Sequence, residues 1–233
     1  MKKINFVAAL LFCGLTVSAQ AVKDRNVIPV AVNLNQVLRM TISNGGNIEF
    51  VFNTIADYKN GLSAATTGSG AMYETDFSIS SSTRWKLTYG SETVDFQGVD
   101  NPANKLLLNN VGYKLTETGT HTFAPGIAAP TNLLGELHSP ITNGGIEIAA
   151  LAVYPKTLIQ DNDGTGVALG IAANAGDESD NVFKMSWRVG TKENSVGGTV
   201  VDKMNALAII DQQPSPEPDR YVANVIFELS MDN

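Results

Sequence analysis

The chain has 233 residues, 43% of them hydrophobic and only 17% charged, with a formal net charge of −7. Gly and Asn each occur 21 times, poor material for long helices and good material for strands joined by tight turns, so a coiled coil, a helical bundle and a disordered tail are excluded. The acidic balance repels phosphate backbones and argues against a nucleic-acid partner.

The N-terminus opens Met1-Lys2-Lys3, continues as an apolar run from Ile4 to Val17 and ends Ser18-Ala19-Gln20-Ala21. A basic start, a short apolar stretch and an Ala-x-Ala end are the three parts of a secretory signal peptide, expected over residues 1–21. The run is short for a membrane span, and no later segment is apolar enough to cross a bilayer. Cys13 is the only cysteine, and Phe12 stands before it where lipidation wants a small residue. The expected mature chain, 22–233, therefore has neither a thiol nucleophile nor a disulfide. Its stability must come from burial and sheet hydrogen bonds. Without Lys2 and Lys3 it carries 14 basic against 23 acidic residues, which suits an exported protein at the cell surface or outside it.

Val27–Leu34 is β-branched and extended, and Pro29 keeps it near an edge or a strand start. In Asn47–Asn53, Ile48, Phe50 and Phe52 alternate with Glu49, Val51 and Asn53, the period of a half-buried strand. Further strands are predicted at Asp76–Ser80, Arg84–Tyr89, Lys105–Leu108, Ile146–Tyr154, Val167–Ala172, Phe183–Val189 and Ala206–Ile210. A long final strand is predicted at Tyr221–Met231. Its residues Tyr221, Ala223, Val225, Phe227, Leu229 and Met231 share one face. Turns at Asn44-Gly45-Gly46, Asn60-Gly61, Asn143-Gly144-Gly145, Asp163-Gly164 and Gly197-Gly198 separate the runs. Short helices fit only near Thr54–Tyr58 and Asp202–Leu207. Residues 117–143 carry Pro125, Pro130 and Pro140 and read as a long excursion. Pro214, Pro216 and Pro218 stiffen the lead-in to the last strand. The expectation is an all-β, antiparallel sandwich of Ig-like or jelly-roll type, forming a single domain. A faint internal echo links Ile42-Ser43-Asn44-Gly45-Gly46 to Ile141-Thr142-Asn143-Gly144-Gly145. A Trp follows each at similar distance, Trp85 and Trp187, and chance hairpin similarity is the preferred account.

Catalytic signatures are missing. No Gly-Lys pair forms a P-loop, Gly170 comes one residue too late after Gly164-Thr165-Gly166 for a dinucleotide fingerprint, and neither Gly-x-Ser-x-Gly nor His-Glu-x-x-His occurs. His121 and His138, both in the Pro-rich excursion, are the only histidines and read as surface loop residues. A glycosidase needs only two suitably spaced carboxylates, but aromatics total 7%, sparse for a sugar cleft, so hydrolysis ranks low. The best cation candidate is Asp161-Asn162-Asp163-Gly164-Thr165-Gly166. Alternating oxygen side chains with a turn-making Gly suit calcium, although Ala172 stands where an EF-hand needs Glu. A plain Asx-rich turn is the competing account, and Asp177-Glu178-Ser179-Asp180-Asn181 could add ligands. Trp85 and Trp187 could form a sugar-stacking platform, but Trp amid alternating strand residues more often fills a core.

Ser82-Thr83-Arg84-Trp85-Lys86-Leu87-Thr88 resembles the first tryptophan motif of WxL-type cell-surface domains and of related exported fimbrial-like proteins of Gram-negative bacteria. Ile48-Glu49-Phe50 lies where those families carry an early Phe-containing strand. Arg220-Tyr221-Val222-Ala223-Asn224-Val225-Ile226-Phe227-Glu228-Leu229 is similar to their closing strand, with Phe227 in place of its Trp. The resemblance implies a secreted Ig-like sandwich that assembles or adheres on the cell surface without catalysis. The Phe227 departure weakens any implied cell-wall binding.

The expected function is thus a non-enzymatic structural or adhesive surface subunit, its partners copies of itself or other surface subunits. A terminal strand is the assembly element: Val27, Val30, Val32 and Leu34 at one end, or Tyr221, Val225, Phe227 and Leu229 at the other, pairing with a neighbour's sheet edge. Pairing within the subunit is the alternative for each. A carbohydrate-binding or calcium-stabilised module is the second reading.

Overall fold

A computed structural model describes residues 28–64, 73–121, 149–160, 173–192 and 204–232. The chain divides into two units, Met1–Asn35 and Gln36–Asn233. In the first, Ile28–Asn35 forms no helix or strand. The second is built from antiparallel sheet. Its strands are β1 (Leu38–Asn44), β2 (Leu62–Ser63), β3 (Glu74–Ser81), β4 (Trp85–Ser91), β5 (Asp95–Gly98), β6 (Lys105–Leu107), β7 (Val111–Glu117), β8 (Ala149–Ala150), β9 (Lys156–Gln160), β10 (Gly176–Val189), β11 (Tyr221–Val222) and β12 (Val225–Met231). Helix α1 (Ile55–Asn60) lies between β1 and β2. Among the described residues no helix is long and apolar enough to cross a membrane.

The first sheet runs β1-β3-β10-β7-β8, with β2 also paired to β10. The second is β12-β4-β9 and the third β11-β5-β6. Every ladder among the described residues is antiparallel. The first two sheets bury side chains against each other, and β3, β4 and β10 do so by alternation. Phe77 and Ile79 of β3, Tyr113 and Leu115 of β7, and Phe183, Met185, Trp187 and Val189 of β10 are buried from one side. Trp85, Leu87 and Tyr89 of β4 and Leu158 and Ile159 of β9 are buried from the other. Rings bridge the layers: Phe77 to Phe227 at 6.1 Å, and Trp85 edge-on to Phe183 at 5.9 Å. Each fully buried side chain of this size contributes about 1.5–3 kcal/mol. The expected all-β sandwich-like architecture is what the chain adopts.

The polar atoms of the core rings Tyr113, Trp187 and Trp85 find partners, as burial demands. The Tyr113 hydroxyl donates to that of Tyr89 at 2.7 Å, Trp187 Nε1 donates to Thr75 Oγ1 at 2.9 Å, and Trp85 Nε1 donates to the Asn174 carbonyl at 3.1 Å. Glycine is required at two close approaches. Gly45 sits at φ +67°, where a Cβ would lie 1.8 Å from the Glu74 carbonyl oxygen, and Gly90 at φ +148°, where it would lie 2.4 Å from the Tyr154 nitrogen. Both conformations are ones that only Gly adopts freely.

Among the described residues, Ile28–Leu34 aside, three departures from the sequence expectation matter most for the surface. Tyr221–Met231 is two strands: β11 pairs with β5 and β12 with β4. Between them Asn224 accepts from the Glu92 amide and donates its Nδ2 to the Glu92 carboxylate, so the break is held. Asn47–Asn53 alternates as expected, with Ile48, Phe50 and Phe52 turned to the core, yet joins no ladder of the described residues. Within Ala206–Ile210 there is no strand, only the start of a 3-10 turn at Ile209–Asp211. The expected helix near Thr54 is α1. Thr54 caps it, accepting from the Asp57 amide while the Asp57 carboxylate accepts from the Thr54 amide, a reciprocal capping box.

The main unit begins and ends at one turn. Val37 donates to Ser82 Oγ and accepts from the Ser82 amide, and the Asp232 amide donates to the Arg84 carbonyl. Gln36 Nε2 also donates to Met231 Sδ.

Candidate assembly surface

Each proposed terminal strand has a distinct fate. In Ile28–Asn35 the alternating residues Ile28, Val30, Val32 and Leu34 are 76–92% exposed. Pro29 supplies no main-chain donor, and the segment carries no charged residue. Four large apolar side chains at period two, all facing water, are not the surface of a finished sheet. Val27 lies outside the described residues.

The C-terminal candidates are not free. Tyr221 pairs with Gly98, and its hydroxyl donates to the Glu217 carbonyl at 2.7 Å. Val225, Phe227 and Leu229 pair with Ser91, Tyr89 and Leu87 and pack against the core. Phe227 faces Phe77 and Tyr89. The expected single 11-residue strand is therefore corrected to two shorter ones, each with a ladder in its own chain.

Trp85 and Trp187 also depart from the sugar-stacking reading. Trp85 has no exposed surface and Trp187 almost none. Their rings lie against Phe183 and Tyr113, so neither can offer a face to a sugar. The period-two pattern turns both inward.

Asp161, Asn162, Asp163 and His138 lie outside the described residues. The acidic run Asp177–Asn181, at the start of β10, is described, and its carboxylates are engaged by nearby donors. Asp177 Oδ1 accepts from the Ser179 hydroxyl and amide, both at 2.7 Å, and from the Asp180 amide at 3.3 Å. Asp180 accepts from the Thr120 hydroxyl and from the Asp177 amide. These bonds, hydroxyl first, hold both carboxyls below the usual range. His121 Nδ1 sits 3.0 Å from Asn181 Oδ1. Among the described residues no group of three or more His, Cys, Asp or Glu side chains is arranged to hold a metal ion.

The residues that sequence reading did not assign to assembly are those of Asn47–Asn53. Phe50 stacks on Tyr73 at 4.5 Å, Phe52 packs on Tyr58 at 5.0 Å, and Glu49 reaches Arg220 at 3.7 Å. The signal was present as alternation, but alternation does not reveal whether the main chain has a partner. A second carboxylate staple lies near Arg220. Asp219 accepts from the Asp100 and Asn101 amides at 3.0 and 3.1 Å, from Asn104 Nδ2 at 3.0 Å and from the Arg220 amide at 2.7 Å. The Asp100 amide leads the causes that lower its pKa. No family model matches the chain, and no curated protein matches it.

Proposed function

We propose that the protein is an exported, non-catalytic structural or adhesive subunit of the cell surface that assembles by donating residues 28–34 as a strand to a neighbour's sheet. One observation carries the reading: four apolar side chains at strand period are exposed to water, in a segment that joins no ladder of the described residues. Apolar surface of this kind is costly unless a partner covers it. Strand addition would cover it and satisfy the main chain together, with no special side chains required. The resemblance of Ser82–Thr88 and Arg220–Leu229 to fimbrial-like and WxL-type proteins supports the same class, as does the secretory pattern of residues 1–21.

The test compares the chain with and without residues 22–34, by sizing chromatography and negative-stain microscopy at rising concentration. Oligomers or fibres that vanish on deletion are expected. A strict monomer at high concentration, unchanged by the deletion, would refute the reading.

A further inference from the structure

We propose that the extended segment Asn47–Asn53 is where residues 28–34 of a second copy pair. The inference rests on the assembly reading above and names its acceptor. Asn47–Asn53 has the alternation of a strand, with alternate side chains turned to core and solvent. It lacks the pairing of one: the main chain of residues 47–52 makes no hydrogen bond to any described residue. A row of unpaired N–H and C=O groups is a template for another chain.

The two segments answer each other. Both run for seven residues. Ile28, Val30, Val32 and Leu34 share one side, and set inward they would lie beside Ile48, Phe50 and Phe52, which the core buries only in part. Pro29, Ala31 and Asn33 would then lie outward with Glu49, Val51 and Asn53. Residues 28–34 bring no charge into that contact, and Pro29 is tolerated in a strand paired on one side only. Among the described residues neither segment joins a ladder, so a second copy supplies what each lacks. The longer edges are less available, because β1 and β12 already meet at one side of the sandwich.

Engineered thiols test this cleanly, since Cys13 is the only native one. Two preparations of the full chain, both Cys13→Ser and one isotopically heavy, are mixed under mild oxidation. One carries Ala31→Cys and the other Val51→Cys. Docking raises local concentration, so the mixed disulfide should form at least about tenfold faster than with Leu107→Cys, an exposed site on β6. Adding Val30→Asp and Val32→Asp to the Ala31→Cys chain should remove the excess. A rate no higher than with Leu107→Cys, a preference for Met231→Cys on β12, or closure only within a chain carrying both thiols would each overturn the proposal. Fibres that form while the cross-link appears elsewhere overturn the acceptor alone. Absence of both fibres and cross-link removes the assembly reading with it.

Discussion

The segment Ile28–Asn35 and the half-strand Phe183–Val189 share a pattern and have opposite surroundings. In both, every second residue is large and apolar. In β10 those residues are buried between two sheets, with β3 on one side of the strand and β7 on the other. In Ile28–Asn35 the equivalent positions face water. The difference lies outside the pattern itself. Period two prescribes an extended chain with one greasy face, and only a neighbouring strand turns that face into stability.

The contrast is open to attack from both ends. Trp85→Ala should have the largest effect, a loss of about 3–5 kcal/mol, because a filled site with a bonded indole N–H becomes a cavity. Chemical denaturation followed by Tyr and Trp fluorescence measures it, and an unchanged midpoint would erase the distinction between the two regions. Asp219→Asn tests an intermediate case, an exposed carboxylate that staples residues 100–104 to the lead-in of β11. Its folded pKa lies below the ordinary value, so its contribution is present at neutral pH and is lost as pH falls through the carboxylate range. The variant should melt below the parent at neutral pH, and the gap should close in acid. A gap that is constant with pH would assign the staple to geometry alone. Val30→Asp with Val32→Asp should change folding stability least, within about 0.5 kcal/mol, while abolishing assembly. Measurable unfolding by this pair would mean that the segment belongs to the folded core of its own chain.

Much of the sandwich was legible in the sequence. The faces of β3, β4 and β10 follow from alternation, and α1 follows from Thr54 and its partner Asp57. Tyr221–Met231 shows the boundary of that legibility. Alternation runs unbroken through Ala223 and Asn224, yet the chain changes sheets there. Burial of every second side chain records which face is dry, not which strand carries the hydrogen bonds. Asn47–Asn53 shows the same gap in another form, with correct faces and no ladder. β7 is not among the predicted strands, although Val111, Tyr113 and Leu115 alternate on its buried face. The candidate assembly residues were visible only as a choice of two ends. Among the described residues β12 pairs with β4, and Ile28–Asn35 joins no ladder.

Both exits of the main unit are fastened to the short turn Ser82–Arg84, one through Val37 and the other through Asp232. Tension applied between those exits would be borne first by a handful of bonds at that corner, which open one after another, and not by whole ladders loaded in parallel. A string of such subunits should therefore yield in small steps, with the packed interior strained last.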